Sequence, residues 1–194
     1  MSLLSTPTEQ SLQAEIERLR EQVEALTERA ERAEALADRD VLTPTLNRRG
    51  FVDHLSRSMS YCRRHGIVAA LLYLDLDGFK SINDDLGHAA GDQALLAVAE
   101  YLTGQVRESD AVGRLGGDEF ALLLMNADAT ASRDKAERLM AGLTELAFEW
   151  QGQAYPLGGS IGVRALGTQA DAEVWLAEAD TDMWLRKTDR RAAR

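Results

Sequence analysis

The run Ile67-Val68-Ala69-Ala70-Leu71-Leu72-Tyr73-Leu74 limits the possible folds more than any other stretch of the chain. It is apolar throughout, so it reads as a central strand covered on both sides. It ends in Asp75-Leu76-Asp77. Strand side chains alternate with a period of two, which places Asp75 and Asp77 on the same side. Paired carboxylates at the end of a buried strand cost free energy unless donors or a cation satisfy them. Hard oxygen ligands of this kind suit Mg²⁺, which takes one or two carboxylates together with substrate phosphates. A solvated strand end with turn-forming aspartates is the plainer reading of the same residues.

A second acidic pair follows two glycines, in Arg114-Leu115-Gly116-Gly117-Asp118-Glu119-Phe120. Ala111-Val112-Gly113 before it and Ala121-Leu122-Leu123-Leu124-Met125 after it read as strands, so the glycines mark a tight hairpin turn. Glycine there lets a phosphate or metal approach the main chain. Neighbouring strand residues face opposite ways, so Asp118 and Glu119 share a task only if the turn twists the backbone. Alone, this tip also fits an ordinary polar hairpin.

The chain has 194 residues, enough for one domain with an extension or two small domains. Its apolar fraction of 45% allows a full core. A net charge of -10 speaks against a nucleic-acid surface, which needs a basic patch. A nucleotide can still bind where basic residues and a divalent cation gather locally. The single cysteine, Cys62, excludes an internal disulfide, fits a reducing compartment and reads as a structural thiol. Three scattered histidines indicate no zinc site. With no leader-like segment and no run long enough for a bilayer, the chain is expected to be soluble and cytoplasmic.

Residues 1–8 read as a disordered start. From there Leu12, Ile16, Leu19, Val23, Leu26, Ala30, Ala33 and Ala37 alternate at spacings of four and three, a heptad seam. So narrow a stripe implies a partner helix, and the expected form is a parallel coiled-coil homodimer over 9–42. A single helix packed on its own domain is the other reading. Pro44 ends the helix near Leu42 or Thr43, leaving 43–194 as the globular domain. A helix over 48–65 buries Phe51, Leu55, Met59 and Cys62 and stops at Gly66. Residues 78–92 read as a polar loop, with Asp92 at the start of a helix over 93–103. Further helices are expected over 132–149 and 171–187, with one or two short strands over 155–163 between them. The last helix ends in Arg186, Lys187, Arg190 and Arg191, a placement that a helix C-terminus favours anyway. This order is α+β and suggests a ferredoxin-like split sheet with helices mainly on one face. Asp75 and the hairpin then become neighbours.

Several segments together carry a resemblance. They are Asp40, Leu42-Thr43, Asn47-Arg48-Arg49 and Phe51; Asp75-Leu76-Asp77, Phe79-Lys80, Ile82-Asn83-Asp84, Gly87-His88 and Gly91-Asp92; Arg114 with Gly116 to Phe120; and Ser160-Ile161-Gly162-Val163. In this order they resemble the GGDEF-domain diguanylate cyclases over about residues 40 to 191, with a coiled-coil signalling helix in front. The resemblance implies a palm-type nucleotide cyclase core with helices around a mainly antiparallel sheet. It implies condensation of two GTP into cyclic di-GMP and two pyrophosphate, one GTP per subunit of a homodimer.

By the same resemblance, Asp75, Asp118 and Glu119 with the Leu76 carbonyl hold Mg²⁺ or Mn²⁺, two ions per half-site. Asp118, Glu119 and Lys80 are the catalytic candidates, Glu119 either activating the hydroxyl or completing the metal shell. Phe79, Lys80, His88, Gly116, Gly117, Lys187 and Arg191 are the remaining substrate contacts, beside Asn83 and Asp92 as guanine readers. A carboxylate accepts from guanine N1–H and its exocyclic amine together, a donor pair that adenine lacks. Arg107 and Asp110, in Arg107-Glu108-Ser109-Asp110, match the family's RxxD product-inhibition site, with Arg138 as a secondary arginine. Pro44-Thr45 stands where the family usually has Gly-Leu, and Trp184, Arg186 and Arg190 depart from its last-helix pattern. A catalytically silent cyclic di-GMP receptor and an inert coiled-coil adaptor are the competing readings. The activating signal, and whether the chain is part of a longer regulator, are not written in these residues.

Overall fold

The structure is a computed structural model that describes residues 9–192; the expected disordered start over 1–8 lies outside the described residues. The chain divides into two units, 1–37 and 38–194. The first is one helix, α1 (Glu9–Ala37), built from the strong helix formers Glu, Arg, Gln, Leu and Ala. Along it Leu12, Ile16, Leu19, Val23 and Leu26 are 47–63% exposed, so the seam lies uncovered in a single chain. The side chains of Ala30 and Ala33, on the same seam, lie outside the described ones.

The helix ends at Ala37, not at 42. Residues 38–47 form a strap of their own before Pro44 is reached. The Asp40 N–H donates to the Thr45 carbonyl at 3.0 Å and the Asn47 N–H to the Asp38 carbonyl at 2.9 Å. The Asp40 carboxylate accepts from the N–H groups of Leu42 and Thr43 and from the Thr43 hydroxyl. Such local side-chain bonds compete with helix continuation.

In the second unit the order is α2 (Arg48–His65), β1 (Ala69–Leu76), α3 (Phe79–Leu86), α4 (His88–Gly104), β2 (Ala111–Gly116), β3 (Glu119–Met125), α5 (Ala129–Glu145), β4 (Ala147–Trp150), β5 (Gln153–Pro156), β6 (Gly159–Ala165) and α6 (Ala172–Ala192). Asn47 caps α2 by accepting from Gly50 N–H, and Gly66 closes it in the left-handed conformation. The main sheet runs β2-β3-β1-β6 with every pair antiparallel, and β4-β5 form a separate hairpin.

Helices cover both faces of the sheet, not mainly one. The cause is β1 itself, whose alternate residues are apolar on each side. Leu72, Leu74 and Leu76 join Phe120, Leu122 and the inner sides of α4 and α5 in one core. Leu71 and Tyr73 join Leu123, Phe51 and Leu55 of α2, and Trp175 and Ala179 of α6 in the other. At ~25 cal/mol per Å² of apolar surface, leaving either face bare would cost several kcal/mol. The α6 helix lies so close to β6 that a methyl group on Gly162 would stand 2.1 Å from the Ala179 carbonyl oxygen.

Two further expectations are corrected. Residues 79–92 are not a loop: α3 and α4 meet at Gly87, which has φ 86 and ψ 161. Asp92 therefore lies inside α4, one turn past its start, and caps nothing. The helix expected over 132–149 stops at Glu145, and the chain turns into the β4-β5 hairpin, whose Phe148 is buried in the α4–α5 core.

Candidate active site

The end of β1 and the β2-β3 turn meet through the backbone. Asp75 pairs with Glu119 on one side and Ser160 on the other. The Leu76 N–H donates to the Asp118 carbonyl at 3.2 Å, and the Asp77 N–H to the Gly158 carbonyl at 2.9 Å. Asp75 and the acidic pair of the turn, far apart in sequence, are thus held together by sheet register. The turn is twisted as the two acids need: the β2-β3 register shifts between Arg114 and Gly116, and Gly116 and Gly117 have φ of 154° and 50°. A side chain strains at such angles, which is why glycines stand there.

The electrostatics record this crowding. Burial pushes the Asp118 carboxyl above its ordinary value, Asp75 adds to the rise, and Lys187 and Arg114 pull it back. Burial also raises Glu119; a hydrogen bond with Tyr73 opposes this, while Asp180, Asp75 and Asp118 add to it. The Tyr73 phenol, buried beneath, is pushed well above its usual range, chiefly by burial and then by Glu119. Lys187 on α6 forms a salt bridge with Asp75, and its ammonium stands 4.0 Å from Asp77. One ammonium therefore serves both aspartates of the strand end.

Among the described residues, no three of His, Cys, Asp and Glu form a ready metal cage. The donor set instead comprises carboxylates gathered at a partly buried strand end, where burial and neighbouring acids raise the proton affinity of Asp118 and Glu119. That fits a hard divalent cation that keeps waters and takes its other ligands from phosphate. Asp75 and Asp118 are the residues that would hold such an ion.

Beside this end, Gly78 is in the left-handed conformation and opens α3 without a side-chain cap. The first N–H groups of a helix have no partner within it, so the start of α3 at Phe79 and Lys80 offers donors to an anion. Lys80 is exposed there. Asn83 on α3 rests against Gly91 of α4, where an added methyl would lie 2.1 Å from its side-chain oxygen. Asp92 follows Gly91 and is exposed, as is His88 in the first turn of α4. The Arg191 side chain lies outside the described ones, so its expected phosphate contact has no structural account.

Arg107, Asp110 and Arg138, separated in sequence, line one cavity of about 220 Å³. Asp110 is fixed there: one carboxylate oxygen accepts from the Arg107 N–H at 3.0 Å and the other from the Met125 N–H at 2.9 Å.

The sequence reading gave no role to Arg114 and Asp40, yet they brace the turn. Arg114 donates twice to the Gly117 carbonyl, at 3.0 and 2.8 Å, and to both carboxylate oxygens of Asp40, at 3.2 and 3.5 Å. Both side chains are about 15% exposed. The signal was present as an acid in the strap and a base just before the glycines, but only the fold pairs them.

The antiparallel β2-β3-β1-β6 sheet with helices on both faces, its acids gathered at the glycine turn, is an α+β core of the palm type. The profile of the family described as "Diguanylate cyclase, GGDEF domain" matches residues 37–193, and the chain belongs to that family. It is 37% identical over 155 residues to "Probable diguanylate cyclase DgcC" of Escherichia coli, covering 79% of this chain and 42% of that protein. The solved GGDEF domain of TpbB from Pseudomonas aeruginosa superposes with a TM-score of 0.73 at 38% identity, over 77% of this chain and 88% of that one. The coiled coil and GGDEF domain of DgcB from Caulobacter crescentus, solved with c-di-GMP, gives 0.79 at 25% identity over 92% and 95%. The chain spans less than half the length of the curated relatives it matches, 12% of one and 42% of another. Among the described residues no helix is long and apolar enough to cross a membrane.

Proposed function

We propose that the chain is a diguanylate cyclase that condenses two GTP into cyclic di-GMP and two pyrophosphate, one GTP held by each subunit of a homodimer. The observation that carries this reading is the junction of Asp75 with Asp118 and Glu119 at the glycine turn of a GGDEF-family chain. Asp75 and Asp118, with the Leu76 carbonyl, would hold Mg²⁺ or Mn²⁺, two ions per half-site. When bound, the ions lower the pKa of the attacking 3′-hydroxyl and offset charge on the triphosphate.

The chain's own groups do the rest. The start of α3 at Phe79 and Lys80, the Lys80 ammonium and Lys187 face the phosphates, where fixed positive charge stabilises the developing negative charge. Gly116 and Gly117 let the triphosphate close on the main chain. Asn83 and Asp92 read guanine, with His88 alongside. Glu119, whose proton affinity is already raised, takes the hydroxyl proton or completes the metal shell. Arg107, Asp110 and Arg138 bind product and slow the enzyme as it accumulates. The second copy is supplied by the uncovered α1 seam, paired as a parallel coiled coil.

The gathering of Arg107, Asp110 and Arg138 at one cavity also suits a catalytically silent cyclic di-GMP receptor. Incubation with GTP and Mg²⁺ separates the two. The cyclase reading predicts cyclic di-GMP formation that stops with a chelator and falls at least 100-fold in Asp118→Asn, as loss of a charge-stabilising group does. Tight product binding with no product formed would leave the receptor.

A further inference from the structure

Lys135 belongs to none of the motifs that single out the site. It stands on α5 one helical turn before Arg138 and lines the same 220 Å³ cavity as Arg107, Asp110 and Arg138. Its ammonium donates to the Gln105 carbonyl, just past the end of α4, which ties the side chain to the far wall of the cavity. Among the described residues, none of Arg107, Lys135 and Arg138 forms a salt bridge with a carboxylate. The one acid of the cavity, Asp110, already accepts from the backbone N–H groups of Arg107 and Met125. The crowding is visible on Lys135 itself. Its ammonium is held below the ordinary lysine value, first by burial and then by Arg138, with Asp110 opposing and Arg107 adding.

Three cations around one engaged carboxylate, in a chain of net charge -10, make a local demand for an anion. Three cations less one carboxylate leave about two positive charges spread over both walls, and a cyclic dinucleotide answers them with two separate, singly charged phosphodiesters. A lysine ammonium serves phosphate as a compact charge with three rotatable donors, and Arg138 beside it adds a planar fork. We propose that Lys135 binds a phosphate of the cyclic dinucleotide in this cavity, alongside Arg107 and Arg138, and so helps set the product level at which synthesis stalls. This rests on reading the cavity as the product site.

The test is calorimetric titration of cyclic di-GMP into the full chain and its Lys135→Met, Lys135→Arg and Arg107→Ala variants, with circular dichroism to confirm folding. Turnover of GTP is followed in parallel. Lys135→Met is expected to weaken binding on the order of tenfold, as loss of a charged hydrogen bond does, and to raise the product level at which turnover stalls. Lys135→Arg is expected to restore most of the affinity, which a purely structural role would not require. A folded Lys135→Met that binds like the wild type while Arg107→Ala binds weakly would overturn the proposal. A chain that makes cyclic di-GMP but binds it no differently in Arg107→Ala overturns it too, while leaving the cyclase reading intact. Binding through Lys135 without turnover would keep Lys135 as a ligand contact but overturn its part in stalling synthesis, together with the cyclase reading.

Discussion

At the scale of single residues, the side chains fall into those that face the nucleotide and those that hold the turn. Asp92 is proposed as one of the first kind. Asp92→Ala is expected to raise the GTP KM and loosen the choice of base, because guanine N1–H and the exocyclic amine lose their shared acceptor. Steady-state kinetics with GTP and ATP check this, and unchanged GTP kinetics would count against the assignment. Asp40 is of the second kind. Burial works against its charge, yet the Thr43 hydroxyl and N–H and the Arg114 guanidinium outweigh it and hold the carboxyl below its ordinary value. A depressed carboxylate adds stability in full above its unfolded pKa, near 4, and loses it as pH falls through the lower folded value. Asp40→Asn should cost about 2 kcal/mol at neutral pH, in line with a charged hydrogen bond. The gap in melting temperature between it and the wild type should narrow in acid below roughly pH 4. A gap constant with pH would contradict the account. The carboxylates of the site were legible in the sequence because acids at the end of an apolar strand and after paired glycines are unusual. The Asp40–Arg114–Gly117 brace was not, since nothing local joins residues so far apart.

At the scale of elements, strand register and helix contact set the site. The strand run 67–74 and the glycine hairpin were readable because period and turn chemistry are local. Helix α3 and the first turn of α4 were read as a loop, because the glycines at 78, 87 and 91 and the polar residues between them mimic one. Strand β4 was absorbed into the end of a helix, because its few apolar residues fit helical spacing equally well. Gly91 shows how tightly α3 and α4 are matched. Gly91→Ala forces the Asn83 side chain aside, since the new methyl would sit 2.1 Å from its oxygen. The expected result is a several-fold higher KM for GTP with a smaller change in kcat, as for loss of a binding contact. An unchanged KM would show that Asn83 does not read the base from this position.

At the scale of the whole molecule, α1 leaves an apolar seam uncovered, and on the proposed function the site holds only half of a two-substrate reaction. A second copy answers both. Val23→Glu, with Val23 63% exposed on the seam, should shift sedimentation toward the monomer and make specific activity fall on dilution. A monomer as active as the wild type at every concentration would remove the need for the seam. The most direct measurement of the central claim uses mixed dimers. Wild-type chains are allowed to exchange with Asp118→Asn chains in varied proportion, and cyclic di-GMP synthesis is followed. If each chain contributes one metal-bound GTP, a dimer with one inert half makes no cyclic product. Activity is then predicted to fall with the square of the wild-type fraction. Activity falling in simple proportion to that fraction would mean that one chain suffices, and would contradict the account.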